Sequence, residues 1–196
     1  GVLDITEIMF GYDGIVFANG IYDERFEFTP ADIYLALNSR SELTNWKQVD
    51  PKFPNYEIKM FIPGTKHGTR EVFEEKVLLK GCEAVGDFAK FEKLHGEDEA
   101  ESMCMEVRRD GRSVDIDGDY TETLANIQTN QHAFGVFGLS FYENNTDVIE
   151  VATMSGVRPS QETVASGSYP VSRPLSVCVK DAHANVIPGV WDYVRF

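Results

Sequence analysis

The sequence predicts an α/β fold on two main grounds: short β-like runs alternate with helical segments, and each boundary carries its own turn or capping residues. A third ground is core capacity, since 196 residues that are 42% hydrophobic and 12% aromatic can fill one good-sized core or two small ones. Residues 8–19 read as a strand pair or bent strand broken by Gly11 and Gly14. Thr29-Pro30-Ala31-Asp32 then opens a helix to about Asn38, with a cap, a Pro in the first turn and an acid at the third position. Residues 56–62 alternate polar and apolar with period two, end at Pro63-Gly64, and lead through a tight loop into a helix over 70–80. Residues 83–102, rich in Glu and Lys, read as a polar loop with a solvated acidic stretch at 97–101. Strands are predicted at 105–109, at 133–141 with interruptions at Gly135 and Gly138, at 148–154 and at 175–180. Helices are predicted at 120–129, 159–165 and 188–195.

The formal charge of 18 − 32 = −14 comes without any Lys/Arg-rich run, so nothing is available to neutralise a phosphate backbone or an anionic bilayer, and nucleic acid is excluded as a partner. No stretch approaches the roughly 18 uninterrupted apolar residues that a transmembrane helix requires. The three cysteines, Cys82, Cys104 and Cys178, include no CxxC pair and have no His at metal-ligand spacing, so no zinc site and no catalytic thiol is indicated. Cys82 and Cys104 flank the polar 83–102 stretch and read as a disulfide of an oxidising compartment. Cys178, within an apolar run, reads as a buried free thiol.

The best candidate for chemistry is Pro63-Gly64-Thr65-Lys66-His67-Gly68-Thr69-Arg70, where a strand enters a Gly-containing loop and then a helix start. The first N–H groups of a helix lack intrahelical acceptors and carry about half a positive charge, so they suit an oxyanion. Thr69 adds a hydroxyl, His67 a ring N–H and Arg70 a bidentate guanidinium. A purely structural reading stands beside this one, with Thr69 capping the helix and Arg70 pairing with Glu74 one turn on. The spacing is not that of a Walker A loop. Asp115-Ile116-Asp117-Gly118-Asp119 begins like a calcium loop, but Tyr120 and Asn126 occupy the places that need Gly and Glu, so it reads as a turn with a helix-capping acid and no metal. His95, His132 and His183 have no Ser or Cys at a nucleophile elbow, and no enzyme or cofactor is indicated.

Five segments occur in a familiar order. They are Gly11-Tyr12-Asp13-Gly14-Ile15-Val16, the Thr29-Pro30 helix leading to Leu43-Thr44-Asn45-Trp46, His67-Gly68-Thr69-Arg70 with Phe73, Ala133-Phe134-Gly135-Val136-Phe137-Gly138, and Ser168-Tyr169-Pro170-Val171-Ser172-Arg173-Pro174-Leu175. Together the set resembles the substrate-binding protein of the bacterial phosphate ABC transporter, a two-lobed periplasmic binding protein. The resemblance implies a periplasmic-binding-protein-like α/β fold with a mixed sheet flanked by helices, a periplasmic location, inorganic phosphate as ligand and an ABC-transporter permease as partner. By position, His67, Gly68 and Thr69 fall where the family has a Ser-Gly-Thr helix start touching phosphate, and Arg70 follows where related variants also carry Arg. His67 replaces the Ser, and Pro63 replaces an Arg common in the family. Asp13 is the candidate acceptor for the phosphate proton, a role that falls in the family to a segment before this chain. The resemblance also implies that the family's first segment and extreme C-terminus lie outside the chain. Residues 17–167 would then form the second lobe, and 1–16 and 168–196 the hinge strands and part of the first lobe. Sulfate or molybdate binding, a phosphate-ester enzyme and a ligand-free fragment are the competing readings.

Overall fold

The computed structural model describes residues 5–180 and residue 186. A mixed sheet runs in the order β4 (Ser113–Ile116), β3 (Met60–Pro63), β5 (Phe134–Gly138), β1 (Ile5–Gly20) and β6 (Ile149–Val151), with β8 (Ser172–Lys180) paired to β1. β3 is parallel to β4 and β5, whereas β1 is antiparallel to β5, β6 and β8. β2 (Glu27–Phe28) and β7 (Thr153–Met154) make a separate parallel pair. The sheet is flanked by helices, as expected. α3 (Gly68–Phe73) packs on β1 and β3, α7 (Tyr120–Thr129) on β1, β3 and β5, and α8 (Leu139–Glu143) and α9 (Gln161–Ala165) on β1.

Residues 8–19 form a single strand and not a pair, and it is uninterrupted at Gly11 and Gly14. β1 is one strand that changes partners, pairing with β8 up to Gly14 and with β5 from Ile15, with a bulge between Met9 and Gly11. Gly14 serves close packing instead of a turn, because a methyl group there would sit 2.8 Å from Val164 Cγ2 on α9. Of the 56–62 run only residues 60–62 are strand, and β3 is buried on both faces, the habit of a parallel interior strand. Tyr56 and Ile58 are held outside it by single backbone bonds to Trp46 and Thr44.

The helix expected at 70–80 begins at Gly68 and runs without a break through a π-helical stretch (Glu74–Leu79) into α4 (Lys80–Val85). The 83–102 stretch is helical and not a loop. Gly86 and Gly96, both at positive φ, separate α4, α5 (Asp87–His95) and α6 (Glu97–Met105), because glycine alone takes that conformation without strain. The acidic 97–101 stretch is therefore the start of α6. Residues 105–109 are not a strand either. Arg108 is buried and spends its guanidinium on the Ala36 and Leu43 carbonyls and on Asp110, and the strand comes later, as β4. Residues 133–141 divide into β5 and α8, and 148–154 into β6 and β7, because β7 leaves the main sheet to pair with β2. β8 begins at Ser172, ahead of the predicted 175, and on it Cys178 is exposed and not buried. The helix predicted at 188–195 lies outside the described residues.

Two signals read from local sequence are realised closely. Thr29 and Asp32 form a reciprocal capping box at α1 (Pro30–Leu37), and Asp119 caps α7 through the Thr121 and Glu122 amides. Phe26, Phe28, Phe53, Phe134 and Trp46, the last at the start of α2 (Trp46–Val49), interlock at the heart of the main core, with Phe26 and Phe134 edge to face at 4.8 Å. A satellite cluster gathers Tyr34, Cys82 and Cys104 with Leu35, Leu79, Val85, Phe88 and Phe91, and a Cys82–Cys104 disulfide joins α4 to α6.

Candidate functional site

β3 and β4 end side by side at Pro63 and Ile116, and β5 ends nearby at Gly138. The carboxyl ends of parallel strands are where open α/β sheets place ligands. A cavity of about 350 Å³ opens there, bounded by the His67-Gly68-Thr69 segment, the 116–120 turn, Thr123, Val136 and Arg173. The two loops approach closely because Gly64 has no side chain: a methyl group would collide with Asp117 Oδ1 and lie 3.0 Å from the Ile116 carbonyl.

Two helix starts face this cavity, and they differ. α7 is closed by its own carboxylate, since Asp119 accepts from Thr121 and Glu122. α3 has no side-chain cap at all: His67 stands at its N-cap position in extended backbone. The His67 ring nitrogen Nε2 lies 3.1 Å from the Asp117 carbonyl oxygen, so it ties the two loops together. The Gly68 and Thr69 amides at the first positions of α3 have no intrahelical acceptors.

Tyr120 lines the cavity with its ring packed on Phe137 and Phe141. Burial raises its phenol pKa, and the Asp13 carboxylate adds to the rise. Hydrogen bonding from Thr69 and the Gly138 backbone, and the Arg173 charge, oppose it without reversing it. Tyr120 therefore stays protonated around neutrality and is a hydroxyl donor.

The structure does not bring all the sequence-predicted residues together. His67, Gly68 and Thr69 line the cavity; Arg70 and Asp13 do not. The Arg70 guanidinium is buried and donates to Glu74 at 2.6 Å, Asp115 at 2.5 Å and the Pro63 carbonyl at 2.9 Å. The structural reading of Arg70 thus holds for Glu74, and Asp115 extends it, while the cap expected from Thr69 is absent because α3 starts two residues earlier, at Gly68, with His67 at the cap position. Asp13 lies in the β1 segment paired with β8, directly across from Arg173, and lines a separate cavity with Gly14, Leu139 and Glu143. Sequence reasoning missed Arg173 and Tyr120. Arg173 lay within the Ser168–Leu175 segment, but only strand pairing brings it beside Gly68.

A model of the PBP superfamily domain matches residues 1–196. The phosphate-binding protein PstS of Staphylococcus saprophyticus is 30% identical over 156 residues, which cover 77% of this chain and 40% of that protein. PstS of Staphylococcus epidermidis is 24% identical over 199 residues, covering 97% and 51%. The chain thus spans about half the length of the relatives it matches. Among solved structures, an ABC-type phosphate transport receptor from Vibrio cholerae superposes with a TM-score of 0.68 at 15% identity, covering 97% of this chain and 65% of that one. PstS from Borrelia burgdorferi superposes with a TM-score of 0.64 at 20% identity and the same coverages. The family model matches the whole sequence, and the chain belongs to the PBP superfamily.

Proposed function

We propose that this chain is part of a solute-binding protein that captures inorganic phosphate for an ABC-transporter permease outside the cytoplasm, in the periplasm or its equivalent, and that it performs no chemistry on the ligand. The observation that carries the reading is the contrast between the two helix starts at the cavity. α7 is satisfied internally by Asp119, whereas α3 offers the Gly68 and Thr69 amides uncapped beside the Thr69 hydroxyl. A tetrahedral oxyanion suits that array of donors. The phosphate-binding names of the relatives favour phosphate among such anions. His67 contributes by holding the loop against Asp117.

In this reading residues 17–167 are one lobe of a two-lobed protein, and β1 before residue 17 together with β8 are strands that cross toward the other. The crossing ribbon leaves Ile5, Met9, Phe10 and Tyr12 exposed, as expected of a surface that further protein covers. Asp13, on that ribbon, stands near enough to raise Tyr120 and remains the proposed acceptor for a phosphate proton.

Isothermal titration of phosphate, sulfate and molybdate into the 196-residue chain and into the intact protein tests the proposal. Phosphate heat that the other two anions do not match is expected, with tighter binding by the intact protein. Preference for sulfate or molybdate would move the assignment to that anion, and silence with all three would overturn it.

A further inference from the structure

We propose that Arg173, on strand β8, supplies the positive charge to the bound oxyanion. The inference rests on the oxyanion reading and assigns within it a residue that neither helix nor loop motif contains. Four buried side-chain nitrogen or oxygen atoms make no hydrogen bond among the described residues: Trp46 Nε1, Ser113 Oγ, Thr153 Oγ1 and Arg173 Nε. Arg173 is the one charged side chain of the four. A buried donor without an acceptor is unfavourable, more so when charged. A guanidinium keeps its charge at every relevant pH, so protonation change cannot relieve this one.

The group is also aimed. A methyl group built on Gly68 would lie 3.3 Å from Arg173 Nη2, so the guanidinium sits against the uncapped start of α3, and it lines the same cavity as Thr69 and Tyr120. Two positive features pressed together are mutually repulsive until an anion lies between them. Asp13 opposes Arg173 across the β1–β8 pair, at register positions Asp13 and Arg173, yet no ion pair joins their side chains. Arg70, the alternative cation, is consumed by Glu74 and Asp115. The ligand therefore bridges α3 and β8, and its capture ties the crossing ribbon to the sheet.

The test is phosphate titration of the intact protein as wild type, Arg173→Gln, Arg173→Lys and, as a charge-matched control, Arg109→Gln, an exposed arginine away from the cavity. Arg173→Gln should weaken phosphate roughly 10- to 100-fold, the range for losing one or two hydrogen bonds to a charged group. Arg173→Lys should fall between, because it keeps the charge and loses the planar fork. Arg109→Gln should bind as wild type. Unfolding curves without phosphate show whether each variant is folded; if the Gln variant is not, the Lys variant carries the test. Wild-type affinity in a folded Arg173→Gln or Arg173→Lys protein overturns the inference and leaves the phosphate reading standing. A wild type that takes up no phosphate overturns both.

Discussion

The Cys82–Cys104 disulfide closes a loop with a sequence separation of 22, and that loop holds the part of the molecule with the least core of its own. α5 buries no residue, and α6 buries only Ala100 and Cys104. Other ties are few: the Tyr34 hydroxyl donates to Asp87 at 3.2 Å, the Arg40 guanidinium lies over the Phe91 ring at 4.7 Å, and Arg40 donates to the Met103 carbonyl at 2.9 Å. In the chain-entropy account, closing a loop of 22 residues removes about 11 cal/mol/K from the unfolded chain, or about 3.4 kcal/mol at 25 °C. Reduction, or Cys82→Ala with Cys104→Ala, should lower unfolding free energy by about 3 kcal/mol. With a urea slope of about 2 kcal/mol/M, the midpoint should fall by roughly 1.5 M. Hydrogen exchange should then show α5 and α6 opening first, while β3 and β5 exchange only with global unfolding. A midpoint shift under about 0.3 M by the same slope, or unchanged protection of α5 and α6, would refute the view that the cross-link and not local packing docks this hairpin.

Three further outcomes follow from particular contacts. Arg70→Met should cost about 2 kcal/mol in urea unfolding: it strands the buried Pro63 carbonyl, while Asp115 and Glu74, at 51% and 28% side-chain exposure, return largely to water. Gly81→Ala should cost about 2 kcal/mol or more, because the added methyl would meet Tyr34 Cβ at 2.5 Å and the Pro30 backbone closer still, and backbone cannot step aside; thermal unfolding measures it. Hydrogen bonds from Arg108 hold the Asp110 carboxyl below the usual carboxylate range. Its folded-state value is therefore depressed, so its contribution is present above the unfolded value of about 3.9 and is lost as pH falls through the folded one. Urea midpoints of wild type and Asp110→Asn, measured from pH 6 to 3, should converge at the acid end, and parallel curves would sink this account.

What could be read from sequence was what short-range physics decides. Thr29 and Asp32 act across three residues, and Asp119 acts on the two amides that follow Tyr120, so α1 and α7 were legible from their caps. The 83–102 stretch was misread because its polarity resembles a loop, while its helices depend on glycines at positive φ and on local pairs such as Lys80 with Glu83 and Asp87 with Lys90. Residues 105–109 were misread because Arg108 answers carbonyls 72 and 65 residues away, which no window sees. The same division runs through the site. The α3 start was visible as a strand, glycine loop and helix; its guanidinium was assigned to the adjacent Arg70, whereas β8 delivers Arg173 through pairing with β1.

A chain of formal charge −14 can hold an anion because contact geometry, not net charge, decides the potential within the cavity. Exposed charges farther than about 10 Å are screened. Of the acids near the ligand position, Asp119 is neutralised in effect by two α7 amides, and Asp13 lies across the β1–β8 pair from Arg173; the positive groups that line the cavity itself are the uncapped α3 start and Arg173. Counting what faces the cavity gives the Gly68 and Thr69 amides, the Thr69 and Tyr120 hydroxyls and Arg173, about five donors worth roughly 1.5–3 kcal/mol each toward a charged ligand. Micromolar affinity needs about 8 kcal/mol net, after an association cost of at least about 4 kcal/mol. These donors reach the resulting sum of about 12 kcal/mol only in the upper half of their range, at about 2.4 kcal/mol each. On the proposed reading, then, this lobe alone should hold phosphate weakly, and tight capture should require donors from the remaining half of the protein, closing over the same anion from the side that Arg173 already marks.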